Sequence, residues 1–254
     1  MPIENNLSPQ LDKIKRVASS LPADSGGEVE VDSDFVERLL GRRQGEKLTR
    51  ATHSRLVRIK DEIIASIEPR LTCEVYAIAG TENGQVSLSC GVSFASRKMA
   101  HTLQGAPWLV CFVATIGPDL DRRIDDLMRR GKAADAYVTD AMGSGAIESV
   151  ADQFHNEFAE RIANFHQSVS LRFSPGYCDW SVAEQSKLFS LLDHEEVGVE
   201  LSSSHLMAPR KSVSAVFGIF NRKATATTAN ANPCRRCGKL DCIARRVEAT
   251  PPSH

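Results

Sequence analysis

The chain has 254 residues, 42% hydrophobic and 25% charged, a composition that can bury a sizeable core and therefore excludes a disordered chain. Its formal charge of -1 gives no long-range attraction for nucleic acid or for an anionic membrane. The longest uncharged apolar run, residues 106–117, is about half the roughly 20 residues that a membrane-spanning helix requires. Residues 1–10 lack the pattern of a secretory signal, so a cytoplasmic protein that binds neither nucleic acid nor a membrane is predicted.

The first predicted elements are a short amphipathic helix over residues 9–21 and a connector at 22–31 that is rich in Gly, Pro and acidic residues. The main domain is predicted to begin at Asp32. There Asp32 or Ser33 can cap a helix with apolar residues at helical spacing, and Gly41 can end that helix.

A second helical pattern covers residues 47–67 and carries several basic side chains on one face. We interpret this face as a solvated helix surface, the usual setting for such charges. A docking patch for a partner, formed by residues 50–60, is the alternative.

Strand and helix signals in the remaining chain are grouped and do not alternate strictly. Strands are predicted at 72–79, 85–90, in the apolar run ending at Thr115, at 198–201 and at 212–219, with a turn at 82–84, and helices at 118–130, 133–165 and 181–192. This grouping favours an α+β fold, a mainly antiparallel sheet with flanking helices.

Gly143-Ser144-Gly145 is the one glycine pair that could open a dinucleotide-binding turn. The context excludes this function, because the preceding residues are predicted to be helical and Glu148 stands where the third glycine belongs. We interpret these small residues as allowing close packing of a long helix. The sequence also contains no phosphate-binding loop and no Gly-x-Ser-x-Gly nucleophile turn.

Residues 172–177 combine groups suited to holding a small molecule. Pro175 and Gly176 predict a turn that lets the backbone approach a ligand, Arg172 offers a planar fork for a carboxylate, and Tyr177 supplies a flat ring with a hydroxyl. Considered alone, an arginine before a Pro-Gly turn is more often part of a purely structural turn.

The motifs after Arg172 extend this observation. An Arg-x-x-x-Gly-Tyr segment is followed by Leu-Phe-x-Leu-Leu in a predicted helix, by Gly-Val-x-Leu, and by Met-x-Pro-x-x-Ser-Val-Ser. In this order the motifs resemble the activation domain of cobalamin-dependent methionine synthase, and in particular its free-standing relatives. The resemblance extends over residues 32–246.

This resemblance implies a binding site for S-adenosylmethionine. Arg172 would meet the ligand carboxylate, Pro175, Gly176 and Tyr177 would form the turn against the ligand, and Glu148 would line the site. Asp32 matches an acidic position of the family, although a helix cap explains it equally well.

Two segments depart from the family pattern. Cys178-Asp179-Trp180-Ser181 replaces the family's Cys-Pro-x-His, and Ser202-Ser203-Ser204 replaces an acidic triplet. The details of ligand contact therefore stay open at this point.

The resemblance also implies the reaction, the reductive methylation of an inactive cob(II)alamin. One electron produces cobalt(I), which attacks the methyl group of S-adenosylmethionine, and the protein is expected to position the ligand without a general acid or base. The sequence has no Asp-x-His-x-x-Gly motif for holding cobalamin. A partner, either a corrinoid-binding protein or a methyltransferase, would therefore supply the cobalamin, with a flavodoxin-type electron donor.

The C-terminal region, residues 221–254, is predicted to be a flexible linker followed by a cysteine-rich tail. Cys234, Cys237 and Cys242 have a spacing that can hold zinc or an iron–sulfur centre, with Cys178 or a histidine as a fourth ligand. A reduced or redox-active tail and a structural role are the alternatives.

The sequence thus predicts three parts of the chain: an N-terminal helix and linker at residues 1–31, an S-adenosylmethionine-binding domain at 32–220, and the tail at 221–254.

Two other functions compete with the reactivation of a methionine synthase type of corrinoid protein. The chain can be a non-catalytic S-adenosylmethionine-binding module of a corrinoid methyltransferase complex, or a metal-tethered scaffold that only shares the fold. The non-catalytic module would bind S-adenosylmethionine, whereas the metal-tethered scaffold would not. A reactivation protein would also support formation of a methylcorrinoid, which the non-catalytic module would not.

Overall fold

The computed structural model describes residues 7–20, 29, 31–42 and 46–221. Most of the predicted connector at 22–31, nearly all of the linker and the three tail cysteines lie outside these residues. The helices of the described part are α1 (Leu7–Ser20), α2 (Ser33–Leu39), α3 (Arg50–Ile64), α4 (Arg97–Thr102), α5 (Asp119–Arg129), α6 (Ala133–Ala163) and α7 (Gln185–Phe189). The strands are β1 (Arg70–Gly80), β2 (Gln85–Leu88), β3 (Ser93–Ala95), β4 (Trp108–Thr115), β5 (Ser168–Val169), β6 (Glu200–Leu201), β7 (Met207–Ala208) and β8 (Ser212–Phe220).

The main sheet has the strand order β3-β2-β1-β4-β8-β5, and each neighbouring pair is antiparallel. Every residue of β4 and β8 is buried, because these central strands are covered on both faces. Alternate side chains enter two separate cores: Phe112 of β4 lies in the core beneath the helices, and its neighbours Cys111 and Val113 lie in the other. The prediction of an α+β fold with a mainly antiparallel sheet is confirmed.

Helix α6 is the centre of the helical layer and packs against α1, α2, α3 and α5 as well as the sheet. A Cβ atom at Gly145 would stand 2.5 Å from Val36 Cγ2 and 2.9 Å from Val31 Cγ1, and one at Gly143 would collide with Leu120. Both glycines therefore permit close approach of neighbouring segments, as predicted.

The opposite face of the sheet is covered by short helices and loops. Trp180, Leu188 and Phe189 pack there with Phe94. The helix predicted at 181–192 is a 3-10 turn at Val182–Glu184 followed by α7. The helix ends at Phe189, and two residues later the Leu191 carbonyl accepts the Tyr76 hydroxyl at 2.7 Å.

Helix α3 begins at Arg50, where the Thr49 side chain accepts the Thr52 N–H at 3.2 Å and caps it. Its basic face is only partly left to solvent, since Arg55 and Arg58 both contact Asp135 of α6. The docking alternative for residues 50–60 stays a prediction.

The sequence analysis did not predict four short elements, β3, α4, β5 and β7. They are too short to show a hydrophobic periodicity.

Within the part of the chain that the structure describes, no helix combines the length and apolar character needed to cross a bilayer.

Candidate functional site

Arg172 lies in an extended segment beside the edge of β8. The next residue, Phe173, exchanges two backbone hydrogen bonds of 2.8 Å with Val216, and its ring enters the core opposite the helices. Side chains alternate along an extended chain, so Arg172 extends to the other face, towards α6. Its side chain is only 6% exposed.

Two carboxylates of α6 hold the Arg172 guanidinium. Its Nη2 donates to Glu148 Oε2 at 2.9 Å and to Asp152 Oδ1 at 2.7 Å. Residues four apart share one face of a helix, so α6 presents both acids to the same cation. The structure therefore brings Arg172 and Glu148 into contact and adds Asp152, which the sequence analysis missed; their binding of a ligand stays a prediction.

Glu148 and Asp152 do not use all the hydrogen-bond donors of the Arg172 guanidinium. Arg172 Nε is buried and has no hydrogen-bond partner among the described residues. Leaving a buried donor unpaired is costly, and Glu148 and Asp152 remain 27% and 40% exposed. The cluster thus presents both a buried donor and carboxylate oxygens, which suits a ligand that carries both a carboxylate and positive charge.

The turn after Arg172 is built as the sequence predicts. Gly176 has φ 87°, and its N–H donates to Trp180 O at 2.9 Å. Pro175 is buried and Tyr177 is 43% exposed. Only glycine adopts this φ readily, and the turn leaves Tyr177 at the surface.

Asp179, which the family pattern does not contain, attaches this turn to α4. Its carboxylate accepts the Ser96 hydroxyl at 2.6 Å and the Lys98 N–H at 3.2 Å. Burial raises the pKa of Asp179, but these hydrogen bonds outweigh burial and hold the pKa below its ordinary value. Trp180 is buried beside Asp179 and contacts the Phe94 ring edge-on, with centroids 5.3 Å apart.

His155 supports the strand that leads to Arg172. Its Nε2 lies 2.8 Å from Ser170 O, and its ring stands edge-on to Phe217 at 4.8 Å between centroids. His155 is three residues beyond Asp152 on α6, so the same helix carries both the acids and this support.

Asp32 performs the capping role that was the alternative to ligand binding. Its Oδ1 accepts the N–H groups of Asp34 and Phe35 at 2.9 and 3.1 Å. The segment around it nevertheless lies close to the site, because Val31 and Val36 pack against Gly145, one turn of α6 before Glu148. Contact between Asp32 and a ligand stays a prediction.

The predicted metal site falls outside the described residues, since Cys234, Cys237 and Cys242 are in the tail. Among the residues that are described, no group of three or more His, Cys, Asp or Glu side chains is placed to hold a metal ion. Burial raises the pKa of Cys73 to about 12 and that of Cys111 well above its ordinary value, so both thiols stay protonated at neutral pH.

Comparison with known proteins gives a family match and a structural similarity. Residues 98–226, just over half of the chain, match the family model described as the vitamin B12-dependent methionine synthase activation domain. The fold is similar to the crystal structure of the MetH reactivation domain bound to AdoHcy, with a TM-score of 0.58 and 15% identity, over 77% of this chain and 75% of that one.

Proposed function

This chain belongs to the family of the vitamin B12-dependent methionine synthase activation domain, and on that premise we propose that it binds S-adenosylmethionine to support reductive methylation of a corrinoid on a partner protein. The observation that carries the proposal is the buried Arg172, held by two carboxylates and left with an unpaired Nε beside the 174–177 turn. The AdoHcy bound to the structurally similar domain supports the same class of ligand.

The charges of the cluster match the amino-acid end of S-adenosylmethionine. The unpaired Arg172 Nε–H can donate to the ligand carboxylate, and Glu148 and Asp152 can accept from its ammonium group or face its sulfonium. The cluster offers carboxylate oxygens as well as a guanidinium to a ligand whose net charge is positive. The cluster therefore fits this ligand better than it fits a simple anion.

Arg172 also limits how strongly the site stabilises the bound cation. The reaction destroys the sulfonium charge, so an uncompensated pair of carboxylates would stabilise the ground state more than the transition state. By neutralising one carboxylate, Arg172 lets the site orient the ligand while keeping the field moderate.

The bound S-adenosylmethionine supplies an electrophilic methyl group, and the reduced corrinoid of the partner is the nucleophile that accepts it. The C–S bond breaks as the Co–C bond forms, and the electron comes from an external donor, for which we propose a flavodoxin-type protein. The residues of this chain bind and orient the methyl donor, and no side chain has to transfer a proton.

The first test is calorimetric titration of the purified full chain with S-adenosylmethionine. We expect saturable binding by the wild type and more than about tenfold weaker binding by Arg172→Ala, because a charge-assisted contact is lost. Arg172→Lys keeps the charge and loses the planar fork, so it should also bind more weakly.

Arg161→Ala is the matched control. It removes another arginine from a salt bridge with a glutamate on α6, but at a more exposed position and away from the site. Equal losses in both variants, or unchanged affinity in Arg172→Ala, would exclude the proposed role of Arg172. Binding without methylcorrinoid formation under reducing conditions would assign the chain as a non-catalytic binding module.

A further inference from the structure

A cavity of about 460 Å³ lies between α1 and the chain that leaves α6. Residues of α1 line one side, residues 164–167 line the other, and Asn221, which follows β8, completes the lining. The volume is within the range of pockets that bind small molecules. Asn164 follows Asp152 by twelve residues, about 18 Å along the helix axis, so this cavity is separate from the Arg172 cluster.

Gln167 has an unpaired polar atom at the wall of this cavity. The residue is 7% exposed, and its Nε2 donates to Asn221 Oδ1 at 3.0 Å. This contact fixes the direction of the amide and leaves Oε1 buried without a hydrogen-bond partner among the described residues. A buried acceptor that is left unpaired costs free energy. A ligand that donates an O–H or N–H group to Oε1 would remove this cost.

The chain turns at His166 in a conformation that is unusual for this residue. Its φ is 60°, and its N–H donates to Ala163 O at 3.0 Å at the end of α6. Glycine most often ends a helix in this way, because a Cβ atom is unfavourable at such a φ. The imidazole therefore lines the cavity despite an unfavourable backbone conformation.

The lining of the cavity carries positive charge. The Lys13 Nζ lies 3.9 Å from the centroid of the Phe165 ring, a cation–π contact that holds the ammonium at the wall. None of the described residues that line the cavity is acidic. Further polar groups are the side-chain amides of Gln10, Asn164 and Asn221, and amides offer both donors and acceptors to hydroxyl groups.

We infer that this cavity binds a polyhydroxylated organic anion, with a hydroxyl on Gln167 Oε1 and a phosphate or carboxylate at Lys13. A cationic ligand is disfavoured by the Lys13 charge. An apolar molecule would leave Gln167 Oε1 unpaired, and a fully ionised inorganic anion such as sulfate has no donor for it. The inference concerns a second site and does not depend on the proposed function.

Titration calorimetry of the full chain with ribose 5-phosphate, gluconate, ribose and sulfate tests the inference. We expect saturable binding of at least one of the two hydroxylated anions. Ribose and sulfate should bind at least about tenfold more weakly, because each lacks one of the two matching groups. Binding of only ribose 5-phosphate would identify a phosphate ester as the anionic group, and binding of only gluconate a carboxylate. Failure of both anions to bind, or equally tight binding of ribose, overturns the inference.

Gln167→Met separates a ligand contact from a structural role. The variant removes the unpaired oxygen, and the partner that it leaves behind, Asn221, is exposed and can be solvated. Without ligand, the variant should therefore unfold at the same urea concentration as the wild type or at a higher one. Its affinity for the anion that the wild type binds should fall about tenfold. Unchanged affinity would overturn the inference, whatever the stability of the variant.

Lys13→Met and Lys15→Met form a matched pair on α1. Lys13 lines the cavity, whereas Lys15 is exposed and does not line it. Lys13→Met should weaken binding of the anion about tenfold, and Lys15→Met should leave it unchanged. Equal losses in both variants would show that only the net charge acts and would overturn the assigned contact. Both variants should bind S-adenosylmethionine like the wild type, so a failure at this cavity leaves the proposed function intact.

Discussion

Burying the charged guanidinium of Arg172 costs free energy unless the charge is paired. A guanidinium that is only 6% exposed must be paired, and Glu148 and Asp152 both pair with it. Both acids contact the same Nη2, and the buried Nε–H is left without a partner among the described residues. The arrangement orients Arg172 and retains capacity for a ligand.

Replacing the Asp152 carboxylate tests whether this group acts on the sulfonium charge of the ligand. Asp152→Asn keeps an oxygen facing Arg172 and removes one negative charge. We expect S-adenosylmethionine to bind roughly three- to tenfold more weakly, because a partly exposed charge pair is worth about 1 kcal/mol. Binding of S-adenosylhomocysteine should change little, and titration calorimetry of both ligands measures the difference.

Glu157→Gln is the control for Asp152→Asn, because Glu157 is an acid of the same helix paired with Arg161 at the surface. It should leave the preference between the two ligands unchanged. An equal loss for both ligands in Asp152→Asn would show that the carboxylate does not act on the sulfonium.

At the scale of elements, α6 brings the site together. Its 31 residues include both carboxylates that hold Arg172, and His155 one turn further supports the strand that leads to Arg172. A single rigid helix therefore fixes the position of the two carboxylates relative to this strand, which loops would fix less precisely.

The 174–180 turn is attached to this framework from the other side, through Asp179 and α4. Asp179→Asn should destabilise the protein by about 1 kcal/mol at neutral pH, the lower end for hydrogen bonds to a charged group because the residue is mostly exposed. The folded-state pKa of Asp179 is lowered. Its contribution is therefore complete above the ordinary carboxyl pKa and is lost as the pH falls through the folded value.

Urea unfolding of wild type and Asp179→Asn at several pH values between 7 and 3 measures this effect. The difference in unfolding free energy should shrink on acidification, since the variant lacks the titrating group. A difference that is constant with pH would mean that the carboxylate charge contributes nothing to fixing the turn.

For the whole molecule, one core joins the N-terminal helix to the rest of the fold. Ile14 and Ala18 of α1 are buried in the same cluster as Phe112, Phe158 and Phe217, and α1 contacts both β1 and α6. Although the sequence places the start of the main domain at Asp32, α1 is packed as an integral part of the helical layer.

Ile14→Ala tests this integration. Removing a fully buried isoleucine should lower the free energy of unfolding by about 2–5 kcal/mol if α1 folds with the core. Near-ultraviolet and far-ultraviolet circular dichroism should then report one coincident transition at lower urea. Lys15→Ala, on the exposed face of the same helix, should stay within about 0.5 kcal/mol of the wild type, and a similarly small effect of Ile14→Ala would show that α1 is dispensable.

The sequence by itself determined the α+β class, the long helix at 133–165 and the Gly176 turn, because periodicity and turn conformation depend on near neighbours in the chain, and the motif order marks the family. The roles of Arg172 and Glu148 in ligand binding stay predictions. Only the tertiary structure decided that Asp152 joins Arg172, that Lys211 lies against Gly143 and binds Ser144, and that Asp179 holds α4. These partners are separated by between 20 and 83 residues, and which of many charged side chains meet across such separations depends on how the helix layer packs on the sheet. The spacing of four between Glu148 and Asp152 is visible in the sequence, but only the structure shows that both carboxylates contact the buried Arg172 guanidinium.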